Sequence, residues 1–190
     1  MRYLLVFAMV WGLGCGGADI PDDELVLGGQ TRLKRTDDGH WIQEFDIDGD
    51  GRVDVTKILV EYPDPKDPSV TKTRLIEKKV DVNSDGKVNI VRKYNEEGRV
   101  MLEEVDTDLD GIPDFRNHLD GGRLVKKEML TTKGKISATR YYADGVIQRV
   151  EKDTTGDSKV DYWEYYEQGV LDRIGRDLNA DGRADTWQTQ

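Results

Sequence analysis

The sequence predicts an all-β fold: an open array of about six stacked β-hairpin repeats, about 24 residues each, joined by acidic loops into a twisted sheet or solenoid. Three observations predict it. A nine-residue acidic pattern recurs five times, as DIDGDGRVD, DVNSDGKVN, DTDLDGIPD, DTTGDSKVD and DLNADGRAD. Runs rich in β-branched and aromatic residues fill the intervals, broken by Gly-centred turns. No segment sustains a 3.6-residue apolar period, so little or no helix is expected.

The chain opens differently. Met1-Arg2 is a short positive start, and Tyr3 to Leu13 is an apolar stretch too short to span a bilayer. Residues 1–14 therefore read as a signal peptide, and residues 15–31 as a tether beginning at Cys15, the only cysteine. The repeat domain covers 32–190. An opening hairpin is expected, with strands Thr31–Arg35 and Trp41–Phe45 around a turn at Thr36–His40.

The acidic loops begin at Asp46, Asp81, Asp106, Asp153 and Asp177, in steps of 35, 25, 47 and 24 residues. The first step holds one unit plus an insertion at Glu61–Val70, whose three prolines mark an irregular loop. The step of 47 hides a degenerate unit. From Met129 it aligns with the unit at Asp153, with Tyr141-Tyr142 on Tyr165-Tyr166 and Gly145 on Gly169. Turns fall at Asn95–Gly98, Asp120–Gly122, Ala143–Gly145 and Glu167–Gly169, where Gly supplies the positive φ of a tight hairpin. After each loop, position 8 is apolar (Val53, Val88, Pro113, Val160, Ala184, and Ile136 in the degenerate unit). Position 10 is mostly large and apolar (Val55, Ile90, Phe115, Tyr162). This alternation predicts a strand with one buried face and Lys, Arg and Glu on the other.

The loops carry the chemistry. Their common form places oxygen-bearing side chains at positions 1, 3, 5 and 9 and Gly at 6, which suits a hard cation taking six to eight oxygens at about 2.3–2.6 Å, and so Ca²⁺. The expected ligands are Asp46, Asp48, Asp50 and Asp54; Asp81, Asn83, Asp85 and Asn89; Asp106, Asp108, Asp110 and Asp114; Asp153, Thr155, Asp157 and Asp161; and Asp177, Asn179, Asp181 and Asp185. Backbone carbonyls at position 7 would add Arg52, Lys87, Ile112, Lys159 and Arg183. Loops one and three are all-Asp and should bind tightest. Loops two and four, with Asn83 and Asn89 or with Thr155 and Ser158, should bind weakest. An EF-hand is excluded, because its closing Glu at position 12 is matched only by Glu164 and the flanks are strand-like.

This helix-free loop resembles the calcium loops of thrombospondin type 3 repeats, dockerins and FG-GAP/VCBS repeats, over about 145 residues from Asp46. The resemblance implies a cation site and names no biological role. FG-GAP blades are roughly twice as long, so six units would give too few blades to close a propeller. Gly12-Leu13-Gly14-Cys15 resembles the bacterial lipobox, with Gly12 where Leu is usual. That resemblance implies cleavage before Cys15 and its acylation with fatty chains such as palmitate. Gly16 after the cysteine implies the outer membrane, on either of its faces. An ordinary secretory signal that happens to hold a cysteine is the other reading.

The precursor carries a net charge of −10, and loss of Arg2 leaves −11. Five Ca²⁺ would nearly cancel that charge, so the acidity is aimed at cations. No basic patch with interleaved aromatics is present, which argues against nucleic acid. His40 and His118 stand apart without Cys partners, and no nucleophile elbow, phosphate loop or H-E-x-x-H motif occurs. The expectation is a non-enzymatic, calcium-binding envelope lipoprotein, structural or adhesive. One alternative is a glycan- or protein-binding module using Tyr141, Tyr142, Trp163, Tyr165, Tyr166 and Trp187. Another is a calcium-dependent hydrolase or lyase.

Overall fold

The structure is a computed structural model that describes residues 30–189. The signal peptide, Cys15 and all but the end of the tether lie outside the described residues. Thirteen antiparallel strands form one open sheet in sequence order: β1 Gln30–Arg35, β2 Trp41–Asp46, β3 Val55–Pro63, β4 Thr71–Val80, β5 Ile90–Tyr94, β6 Val100–Val105, β7 Phe115–Asp120, β8 Arg123–Leu130, β9 Ile136–Ala143, β10 Val146–Lys152, β11 Tyr162–Glu167, β12 Val170–Arg176 and β13 Thr186–Thr189. Among the described residues there is no helix, and each strand packs only on its sequence neighbours. The stacked-hairpin array read from the sequence is the fold. The opening hairpin falls where expected, although β1 begins at Gln30, inside the stretch assigned to the tether.

Short connections set the register. Gly121-Gly122, Asp144-Gly145 and Gln168-Gly169 all have positive φ, the two-residue turn whose twist matches that of the strands. The Thr36, Asn95 and Thr131 turns instead fold around a side-chain oxygen, as when Asn95 Oδ1 accepts the Glu97 and Arg99 N–H groups at 3.0 and 2.9 Å. β3 and β4 run on into the insertion, so that only Asp64–Val70 is irregular.

All five acidic loops connect an even strand to the next odd one, so they line a single edge of the sheet. Each leaves the residue before the loop paired with position 10: Phe45 with Val55, Val80 with Ile90, Val105 with Phe115, Lys152 with Tyr162 and Arg176 with Thr186. The five hairpins after β1–β2 that turn at the edge opposite the loops each carry one bulge in the returning strand, where Ile76, Met101, Val125, Gln148 and Asp172 are skipped by the register, and β8–β9 skips Ser137. Four of these residues lie five positions before a loop's first Asp. Val125 lies five before Leu130, so Leu130 rather than Met129 is the first position of the degenerate unit. Its connection has lost one residue and tightened into a turn, pairing Met129 with Ala138.

No second layer covers either face among the described residues. Val55 and Val150 are the only buried apolar side chains there, at 3% and 2% exposure. The one-buried-face expectation is therefore corrected: the alternation marks a face that is shared but not covered. Phe45, Val55, Val80, Ile90, Val105, Phe115, Met129 and Ala138 pair in one cross-strand row beside the loops. At position 8, Val88 and Ile136 are exposed and the other residues are half-buried. The next row on the same face is charged, where Arg92 Nε meets Glu103 at 2.8 Å and Asn117 donates to Glu103 at 3.0 Å. Cations lie over the rings in place of a second layer: Lys127 over Phe115 at 3.8 Å, Arg149 over Tyr141 at 4.3 Å and Lys152 over Tyr162 at 4.7 Å. Trp187 lies across Gly175, so close that a Cβ there would stand 2.8 Å from the ring.

Two predictions come from these ladders. Desolvation raises the carboxyl pKa of Glu103, Glu128 and Glu164, but Arg92 with Asn117, Lys126 with His118, and Lys152 with Tyr166 outweigh it and leave all three below the ordinary value. Their contribution is complete above the unfolded carboxylate pKa of about 4.3 and is lost as pH falls through the depressed native values. Circular dichroism melts should show Tm falling as pH drops below that point, and a flat Tm would refute the ladder account. Gly175→Ala should push Trp187 off its seat, which reads as a red-shifted tryptophan emission with little change in the melting of the remaining strands.

Candidate metal centres

Every loop folds by the same hydrogen bonds, made by side chains of its own pattern. The position-1 carboxylate accepts backbone N–H groups from positions 4 and 6: Asp46 from Gly49 (2.7 Å) and Gly51 (2.9 Å), Asp106 from Leu109 and Gly111 (2.8 Å each). Asp153 and Asp177 repeat both contacts, and Asp81 repeats the one to position 6. The position-5 carboxylate accepts the position-7 N–H, as in Asp50 from Arg52 (2.7 Å), Asp110 from Ile112 (2.7 Å), Asp157 from Lys159 (2.9 Å) and Asp181 from Arg183 (2.9 Å). Position 9 ties back to the N–H at position 2. The loop is thus a ring of backbone donors wrapped around its own carboxylates, which keep their remaining lone pairs.

That wrapping needs left-handed backbone at two positions. Position 6 has φ of 90° at Gly51 and Gly86, 95° at Gly111, 86° at Gly182 and 73° at Ser158. Position 4 is left-handed too, at Gly49, Ser84, Leu109, Gly156 and Ala180. The sequence did not reveal this second position, because its residue types share no chemistry. A non-Gly residue there costs roughly 1–2 kcal/mol, so Ser158, Ser84, Leu109 and Ala180 are held by the bonds around them.

Two loops bring three carboxylates together. One oxygen from each of Asp46, Asp48 and Asp50 lies within 4.8 Å of the others, and so does one from each of Asp106, Asp108 and Asp114. Each triad could hold a metal ion. Neither gathers all four expected side chains: Asp54 stands outside the first and Asp110 outside the third. Asp46, Asp106 and Asp54 are buried, while Asp108 and Asp110 are exposed. Asp153 and Asp177 are more open than their counterparts in loops one to three, and Asp161 is more open than Asp54 and Asn89. Thr155 there donates to Asp153 (3.3 Å), and the Asn179 amide donates to Asp185 (2.9 Å). In loop two, Asn83 bridges to Asp85 (3.1 Å).

Electrostatics within the triads favour a cation. At Asp108 the Asp110 N–H pulls the carboxyl pKa down, yet desolvation and the charges of Asp110, Asp114 and Asp106 outweigh it and hold it above the ordinary value. Asp114 is held below, chiefly by the Thr107 hydroxyl and N–H. Asp54 is held below by the Ile47 N–H and by the Ser84 hydroxyl, which reaches across from loop two to within 2.8 Å of Asp54 and 3.0 Å of Asp48. This contact between loops had no signal in the sequence. Arg52 returns it by donating to the Ser84 carbonyl at 2.8 Å.

No family model matches the chain, and no curated protein matches it. Among solved structures, the crystal structure of accessory secretory protein 1,2 and 3 in Streptococcus pneumoniae is similar over 65% of this chain and 19% of that one, at 12% identity and a TM-score of 0.36. The chain therefore spans about a fifth of that protein's length.

In metal-free protein the two carboxylates of loop three should respond oppositely to neutralisation. Asp108→Asn relieves repulsion and should raise Tm slightly. Asp114→Ala removes the acceptor of the Thr107 donors and should lower Tm. Equal losses from both would contradict the electrostatic account.

Proposed function

We propose that the chain is a calcium-stabilised β-repeat protein of the bacterial envelope, anchored by a lipid at Cys15, with a structural or adhesive role and no catalytic one. The observation that carries this is the pair of Asp triads at one edge of a sheet that has almost no buried apolar core. Like charges at about 4 Å repel by roughly 1 kcal/mol in water and about 4 kcal/mol at an effective dielectric of 20. A divalent ion reverses that sign where one hairpin hands over to the next. An oxygen-only donor set favours Ca²⁺ over softer metals. The Cys15 anchor and the outer-membrane location rest on the sequence alone.

A glycan or protein partner on the aromatic residues is the second reading, supported by Trp187, which is half exposed and packs against Tyr165 at 5.7 Å. The six aromatics do not form one platform, however. The register sets Tyr141, Trp163, Tyr165 and Trp187 on one face and Tyr142 and Tyr166 on the other, and Arg149 and Arg173 already lie over several of the rings.

Calcium titrated into the full chain in detergent should raise Tm. With extracellular-type Kd values of about 10⁻⁴–10⁻³ M, about 10 mM Ca²⁺ adds about 1.4–2.7 kcal/mol per filled site. For a chain of this size that is roughly 3–10 °C per site. A Tm unmoved by both calcium and chelator would overturn the reading.

A further inference from the structure

Loop two departs from the others at one buried side chain. Position 9 always turns one oxygen to the N–H of position 2: Asp54 Oδ2 to Ile47 (2.6 Å), Asp114 Oδ2 to Thr107 (2.7 Å), Asp161 Oδ1 to Thr154 (3.0 Å) and Asp185 Oδ2 to Leu178 (2.7 Å). Asn89 does the same, with Oδ1 accepting from Val82 at 2.8 Å. The other arm of the side chain is what differs. In Asp54 and Asp185 it is an oxygen, and it accepts the Ser84 hydroxyl or the Asn179 amide. In Asn89 it is Nδ2, on a residue only 2% exposed, and that nitrogen has no hydrogen-bond partner.

The amide cannot turn over. Turning would set its NH₂ against the Val82 N–H, donor to donor, and leave both unsatisfied. Two buried N–H bonds therefore stand where the other loops offer lone pairs, and their positive end repels a cation. The loop also keeps only two carboxylates, Asp81 and Asp85. Meanwhile it grips both neighbours. Ser84 bonds to Asp48 and Asp54 of loop one, and Lys87 Nζ reaches the Asp110 carbonyl of loop three at 3.4 Å.

We infer that loop two is a cation-free strut clamped between two cation-holding loops, and that Asn89 is the residue that excludes the ion. The inference rests on the calcium reading of loops one and three and sharpens it. Counting bound Ca²⁺ per full chain by equilibrium dialysis tests it. Asp50→Asn and Asp108→Asn should each lower the count by one, Asp85→Asn should leave it unchanged, and Asn89→Asp should raise it by one. A count lowered by Asp85→Asn, or unmoved by Asn89→Asp, overturns the inference while leaving the calcium reading intact. A wild-type count of zero overturns the calcium reading itself.

Discussion

The array depends on one backbone hydrogen bond, repeated at every junction. The first N–H of each loop donates to the last carbonyl of the loop before it: Asp81 to Asp54, Asp106 to Asn89, Leu130 to Asp114, Asp153 to Ser137 and Asp177 to Asp161, at 2.7–2.9 Å. This bond carries the strand ladder past the end of the sheet and into the loops. It also stacks the acidic loops one after another along a single edge. The geometry that continues the sheet therefore concentrates negative charge along one edge. Backbone donors absorb part of that charge by wrapping each carboxylate, but in loop three they leave Asp108 crowded by three others.

Among the described residues, the rest of the sheet lives without an interior. A sheet one layer thick cannot exclude water from two faces at once, so its side chains must satisfy one another sideways. Apolar residues do so in a cross-strand row beside the loops, and acids and bases do so in the row next to it. Aromatic rings, which would normally need a covering layer, take the stems and heads of Arg and Lys instead. Each contact is weak, and each involves neighbouring strands only. Stability then accumulates along the array as a sum of junctions, and a weak junction weakens its own neighbourhood first.

The hairpins were legible because their signals are chemical. Gly122, Gly145 and Gly169 sit where only a positive φ closes the turn, and the aspartates mark the loops by spacing alone. The bulges were not legible. Ile76, Met101, Val125, Gln148 and Asp172 have nothing in common except their distance from the next loop, because a bulge is defined by backbone pairing and asks nothing of the side chain. The same cause put the degenerate unit one residue out of place. Similarity to Asp153–Asp177 fixed its strands, but the lost residue lies in the turn, where no side chain remained to count from. At the candidate centres the pattern showed which oxygens belong to each loop. It could not show that Asp54 and Asp110 stand outside their triads, or that Ser84 serves a neighbour's carboxylates, since both depend on how consecutive loops stack.

Unequal loops suit this stacking better than equal ones. Successive connections along the edge are two strands apart, about 9.6 Å. Two divalent ions at that separation repel by roughly 1.7 kcal/mol in water, before screening by salt with a Debye length of about 8 Å. Filling every loop would set ion beside ion along the edge, a repulsion that each loop's own carboxylates offset only in part. An ion-free loop between two ion-holding ones would double the separation to about 19 Å, beyond two Debye lengths, where the repulsion is largely screened. The intervening loop must then hold its shape by hydrogen bonds alone. Loop two is built that way: Asn83 bridges to Asp85, Asn89 ties to Val82, and Ser84 and Lys87 reach outward to the loops on either side. The degenerate turn at Thr131–Lys135, between loops three and four, has given up its carboxylates altogether and closed around the Thr131 hydroxyl. If the all-Asp loops hold calcium, divergence among the repeats spaces the ions that perfect repetition would crowd together.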